Sequence, residues 1–127
     1  MSSKAFAIIA GAGSGTGASV ARRFAKTYPV ALLARKESSY NDLVKEINDN
    51  GGQAIGVSTD VSNEDSVKAA FKKIEDAYGK VPCAAAIYQA SGHFEKKPFL
   101  EMKLEEFDKS WIITVYGLLL ASGKGDR

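Results

Sequence analysis

Short apolar runs alternate with amphipathic segments along the whole chain, a pattern that predicts strands and helices in turn. Ala5-Phe6-Ala7-Ile8-Ile9-Ala10 has no polar position, so it predicts a first strand buried on both faces. A glycine-rich turn follows, then a helix from about Gly15 to Thr27 with Val20, Ala21 and Phe24 on its inner face. Pro29 leads into a second strand, Val30 to Ala34. Ser38 to Asn50 carries Leu43 and Ile47 at i,i+4 spacing and predicts a helix closed by Gly51-Gly52.

A third strand, Gln53 to Ser58, leads into Asp60-Val61-Ser62. Ser62 with Asp65 three residues on resembles a capping box for a helix running to Tyr78, with Val67, Phe71 and Ile74 inside and Gly79 as its stop. A fourth strand, about Cys83 to Tyr88, follows Pro82. A polar loop runs through Gly92 and Pro98 to a last helix from about Glu105 to Leu120, and Ser122 to Arg127 is a polar end outside any element. Alternating β and α units of this kind predict an α/β fold, a Rossmann-type doubly wound parallel sheet. With right-handed crossovers the four strands take the order 3-2-1-4. Residues 1–127 read as a single domain, with no repeat beyond the βα alternation and no linker.

Composition narrows the function. The net charge is only +2, with Lys and Arg interleaved among Asp and Glu, which argues against nucleic acid or an acidic membrane surface as partner. One cysteine, Cys83, excludes an internal disulfide and leaves no metal cluster, so a reducing, cytoplasmic setting is expected. Cys83 itself reads as a packed, inert thiol at the mouth of a buried strand. Trp111 to Ala121 is the longest apolar run near the C-terminus and is too short to span a bilayer. The sole histidine, His93, reads as a loop residue with no special role, and Glu105 and Glu106 as charges suited to a helix N-terminus.

Gly11-Ala12-Gly13-Ser14-Gly15-Thr16-Gly17 joins the first strand to the first helix. A diphosphate needs backbone N–H donors at a helix start and no Cβ in the way of its approach, and glycines at this turn meet both needs. Two spacings fit. Gly13-x-Gly15-x-x-Ala18 satisfies the general dinucleotide pattern, and Gly11-x-x-x-Gly15-x-Gly17 a longer one. A tight turn that holds no ligand is the alternative. An NTPase phosphate loop is excluded, because no Gly-Lys-Ser/Thr follows.

The longer spacing is similar to the TGxxxGxG turn of the short-chain dehydrogenase/reductase family, with Ala10 where the family usually has Thr. Asp60-Val61 looks like the family's aspartate after the third strand, whose side chain meets the adenine amino group. Phe107 through Gly117 looks like the family's passage into its long helix. The resemblance covers residues 4 to 121, about the first half of a typical member. It implies a dinucleotide cofactor held by Gly11, Gly13, Ser14, Gly15, Thr16 and Gly17 at the diphosphate and by Asp60 and Val61 at the adenine. Ala90 would then lie beside the nicotinamide ribose.

Residues at the end of the second strand choose between cofactors. An acid there accepts bonds from a ribose 2′-hydroxyl and selects NAD. Here the strand ends Leu32-Leu33-Ala34-Arg35-Lys36, with no carboxylate before Glu37. Arg35 offers a planar fork for a 2′-phosphate and Lys36 a second charge, so NADP(H) is expected over NAD(H). The alternative is a pair of solvated surface cations.

The chain departs from the family in two ways. Tyr88-Gln89-Ala90-Ser91 stands where the family usually has Asn-Asn-Ala-Gly, and Thr114 where it places a catalytic asparagine. The family's catalytic Ser and Tyr-x-x-x-Lys pair come later than residue 127. No tyrosine of this sequence has a lysine four residues on. The expectation is therefore a truncated, NADP(H)-binding portion of an oxidoreductase, inactive alone. A non-catalytic nucleotide-binding or protein-interaction module is the rival, slightly favoured by the changes at Tyr88, Gln89 and Thr114. An AdoMet-dependent methyltransferase shares the glycine turn but would want an acid in place of Arg35. The last helix, apolar on nearly all sides, predicts self-association or a homodimer through Trp111 and Leu119.

Overall fold

The computed structural model describes residues 5–12, 15–79, 81–89, 99–101, 103–105 and 108. Four strands, β1 (Phe6–Ala10), β2 (Val30–Ala34), β3 (Ala54–Ser58) and β4 (Cys83–Tyr88), form one sheet in the order β3-β2-β1-β4. Every neighbouring pair is parallel, so each connection is a crossover, made by α1 (Thr16–Ala25), α2 (Asn41–Asp49) and α3 (Glu64–Tyr78). The order and the strand ranges follow the sequence reading within a residue at each end.

Successive side chains of a strand point to opposite faces, and here both faces are covered. Ala7 and Ile9 of β1 with Val30 and Leu32 of β2 pack beneath Leu43 and Ile47 of α2 and Ala18 and Ala21 of α1. Phe6, Ile8, Ala31 and Leu33 face the other way, towards Ala70 and Ile74 of α3. Full burial of residues the size of Ile9 and Leu32 contributes about 1.5–3 kcal/mol each. Tyr78, at the end of α3, donates its hydroxyl to the Val30 carbonyl at 2.8 Å, and burial pushes its phenol up to about 12. The phenol therefore stays a donor at any physiological pH.

The helix ends have local causes. Gly51 and Gly52 close α2 through bonds from their amides to the carbonyls of Asn48 and Ile47. Gly79 stops α3 at φ 81°, a conformation that costs a residue with a Cβ. The expected capping box at Ser62 and Asp65 is not what starts α3. Ser62 spends its hydroxyl on Asp60 Oδ1, at 2.6 Å, and the helix begins one residue later, with Asn63 Oδ1 accepting from the Ser66 amide at 2.9 Å. Asn63→Ala is expected to cost about 1 kcal/mol of stability, read as a shift in urea midpoint, and Asp65→Ala only a few tenths, on the order of other surface changes.

Cys83 also corrects the sequence reading. It is exposed, because β4 is an edge of the sheet as described and most of its residues are open or half-open to solvent. Its Sγ still donates to the Ala85 carbonyl at 3.2 Å, and partial burial pushes the thiol pKa up, which keeps it protonated. Of the last helix only Leu104, Glu105 and Asp108 are described, and they are helical, as expected for a start near Glu105. The Trp111 and Leu119 contact lies outside the described residues, as do Gly13, Ser14, Ala90, His93 and Thr114. Among the described residues no helix is long and apolar enough to cross a membrane, and no cluster of His, Cys, Asp or Glu could hold a metal ion.

Candidate dinucleotide-binding site

In a parallel sheet all strands deliver their carboxyl ends to one edge, and the crevice where the order reverses, here between β1 and β4, is where such folds place ligands. The chain leaves β1, β2, β3 and β4 on that edge.

After Ala10 the chain turns at once. The amides of Gly11 and Ala12 both donate to the Leu33 carbonyl, at 2.8 and 3.2 Å, which fixes the turn over the end of β2. Gly15 then takes φ 75° and precedes α1 without offering a side-chain cap. The first turn of α1 holds no acid, so nothing of its own opposes a negative charge at the helix start. Gly17 is buried against the turn. A Cβ there would stand 2.7 Å from the Gly11 carbonyl oxygen and 3.2 Å from Ala12 Cα. Absence of side chains at Gly15 and Gly17 thus serves two purposes, a backbone bend at one and close approach of helix to turn at the other. Thr16, between them, is exposed.

Arg35 and Lys36, at the end of β2, are both exposed. The β2–β3 ladder runs one step past the strands, with the Thr59 amide donating to the Ala34 carbonyl at 2.8 Å. This brings Asp60 near Arg35. The Ser62 hydroxyl, the Ser62 amide at 3.0 Å and the Arg35 charge hold the Asp60 carboxyl below its ordinary value, against a partial burial that works the other way. Asp60 is therefore an anion at neutral pH, with Oδ1 engaged by Ser62. Val61 is buried, and its side chain lines an apolar cleft of about 150 Å³ with Ile8, Leu33, Val67 and Phe71. At the end of β4, the Gln89 amide donates to the Ala10 carbonyl at 2.7 Å, so the segment that departs from the family's Asn-Asn still ties β4 to β1.

The structure thus gathers Gly11, Gly15, Thr16, Gly17, Arg35, Lys36, Asp60 and Val61 on one edge. Sequence reasoning missed Tyr40. Its ring is buried against β3 and its hydroxyl lies 2.9 Å from Ser58 Oγ. The available signal was a lone aromatic in the polar stretch Ser38 to Asn41, preceding a glycine-bearing strand.

A glycine turn that a Cβ would fill, at a helix start free of acids and beside two exposed cations, fits a dinucleotide. Comparison with known proteins bears on the same point. The sequence model of the family described as "short chain dehydrogenase" matches residues 5–124. An uncharacterized oxidoreductase of Listeria monocytogenes is 32% identical over 113 residues, which cover 88% of this chain and 44% of the relative. A metagenomic short-chain oxidoreductase solved in complex with NADP is 26% identical, with a TM-score of 0.83 over 94% of this chain and 54% of that one. An oxidoreductase from Haemophilus influenza with bound NAD shares the fold at 23% identity and a TM-score of 0.84, over 94% of this chain and 48% of that one. The chain spans less than half the length of the curated relatives it matches. With the family's sequence model over nearly all of its length and the parallel 3-2-1-4 sheet, the chain belongs to the short-chain dehydrogenase family.

Proposed function

We propose that this chain is the NADP(H)-binding portion of a short-chain dehydrogenase/reductase-type oxidoreductase. The observation that carries the reading is the end of β2, where two exposed cations, Arg35 and Lys36, stand in the place an acid would take in an NAD site. The bound cofactor would supply or accept a hydride at a carbonyl or alcohol carbon. The residues of this chain hold it. Gly11, Gly15, Thr16 and Gly17, with Gly13 and Ser14, cradle the diphosphate, and Arg35 and Lys36 receive the 2′-phosphate. Asp60 and Val61 meet the adenine, and Ala90 adjoins the nicotinamide ribose. Acid–base chemistry on the substrate belongs to the remainder of the family fold, since this sequence contains no Tyr-x-x-x-Lys. A cytoplasmic setting is supported by the sequence's single cysteine, Cys83, which leaves no internal disulfide.

Calorimetric titration with NADPH and, separately, NADH tests it. NADPH is expected to bind tighter by about tenfold or more, the size of one charge-assisted pair, and Arg35→Ala to remove most of that preference while leaving NADH alone. Equal affinity for the two, or an Arg35→Ala protein whose preference for NADPH is undiminished, would sink the assignment.

A further inference from the structure

The five residues 35–39 carry both proposed phosphate ligands, and the chain closes this loop on a single point of β3. At its start, Ala34 pairs in register with Ser58, and its carbonyl accepts from the Thr59 amide. At its end, Tyr40 places its hydroxyl 2.9 Å from Ser58 Oγ. Between them a 3₁₀ turn, Glu37–Ser39, holds the backbone, with the Ser39 amide donating to the Lys36 carbonyl and the Tyr40 amide to the Glu37 carbonyl. The Tyr40 carbonyl then accepts from the Val44 amide and so starts α2. Tyr40 is only 6% exposed, and its ring lies over Gly56, where a Cβ would overlap it. A tyrosine hydroxyl in such a place is fixed by its partner, and its backbone with it.

We propose that Tyr40 is a positioning residue for cofactor selectivity: by bonding Ser58 it clamps the loop so that Arg35 and Lys36 are presented together at the end of β2. The inference rests on the NADP(H) reading given above. A loop tied at one end to Thr59 and at the other to Ser58 next to it loses little further freedom when a phosphate arrives, so the entropy of fixing two long cationic side chains weighs less against binding. Asp60, held as an anion beside Arg35 at the same edge, supports that placement from the loop after β3.

Tyr40→Phe keeps the ring over Gly56 and removes the bond, and Ser58→Ala removes its partner. Both are expected to weaken NADPH roughly 3- to 10-fold and NADH not at all, with the double variant no worse than either single. In the cofactor-free protein, tryptic cleavage after Arg35 and Lys36 is expected to rise by a similar factor relative to cleavage after Lys72 in α3. Loss of NADPH and NADH affinity in equal measure would make Tyr40 a purely structural residue and overturn the proposal, as would unchanged cleavage at Arg35 and Lys36. If cleavage rises as expected but the unaltered protein binds NADPH no better than NADH, the clamp stands. The NADP(H) reading then fails, and Tyr40's role in selectivity with it.

Discussion

Gly17→Val is expected to reduce NADPH binding by roughly 100-fold or more, the loss of one to two charge-assisted amide bonds, while the chain remains folded. The reason is local. The Cβ alone would approach the Gly11 carbonyl oxygen to 2.7 Å, and both atoms belong to rigid backbone, one to the turn and one to the helix. Valine adds two methyl groups to that overlap. Relief requires α1 to move outward, carrying its first-turn amides away from the position a diphosphate would occupy. Overpacking of this kind costs about 1–3 kcal/mol, a sum that a domain with a two-sided core can bear. Calorimetry with NADPH and thermal unfolding of the same sample separate the two effects. A folded Gly17→Val protein that binds NADPH as before would remove the glycine turn from the site altogether.

The second large effect concerns stability. Gly56→Val is expected to lower the unfolding free energy by about 2–4 kcal/mol, the sum of overpacking and a lost hydrogen bond. Strand propensity alone gives the opposite sign, since valine is favoured over glycine in β-structure by up to about 1 kcal/mol. Steric exclusion decides the matter, because a Cβ at Gly56 falls on the buried Tyr40 ring, and moving that ring aside breaks its hydroxyl's bond to Ser58. Denaturant unfolding checks the sign. Coupling checks the cause, since Gly56→Ala combined with Tyr40→Leu should cost less than the two changes summed. A more stable Gly56→Val protein would mean that Tyr40 is displaced at negligible cost.

The sheet was readable in the sequence because each strand is short, nearly free of polar residues and bounded by turn residues. The glycine turn was readable for a related reason, that its chemistry is written in one contiguous segment. Features made by two distant segments were not. The start of α3 is not legible because Ser62 has two possible partners close in sequence, Asp60 and the helix amides, and only folding chooses between them. The exposure of Cys83 is not legible, because an apolar run looks the same at the centre of a sheet and at the edge of the described one. The Tyr40–Ser58 bond joins residues 18 apart, and no local period records it.

The pairing of β4 with β1 has a kinetic side. β2 and β3 each lie beside the strand that precedes them in the chain, whereas β4 must pass over both and close on β1, with Cys83 set against Phe6. Loop closure grows costlier with the length of chain enclosed, and contacts far apart in sequence form late. A nascent β1–β2–β3 layer can therefore assemble first and wait for β4. In that interval β1 presents an unpaired edge of Phe6 to Ala10, apolar throughout, to whatever other chains are being made nearby. The strand order that creates the ligand crevice between β1 and β4 also makes that crevice form later than the β1–β2–β3 layer beside it.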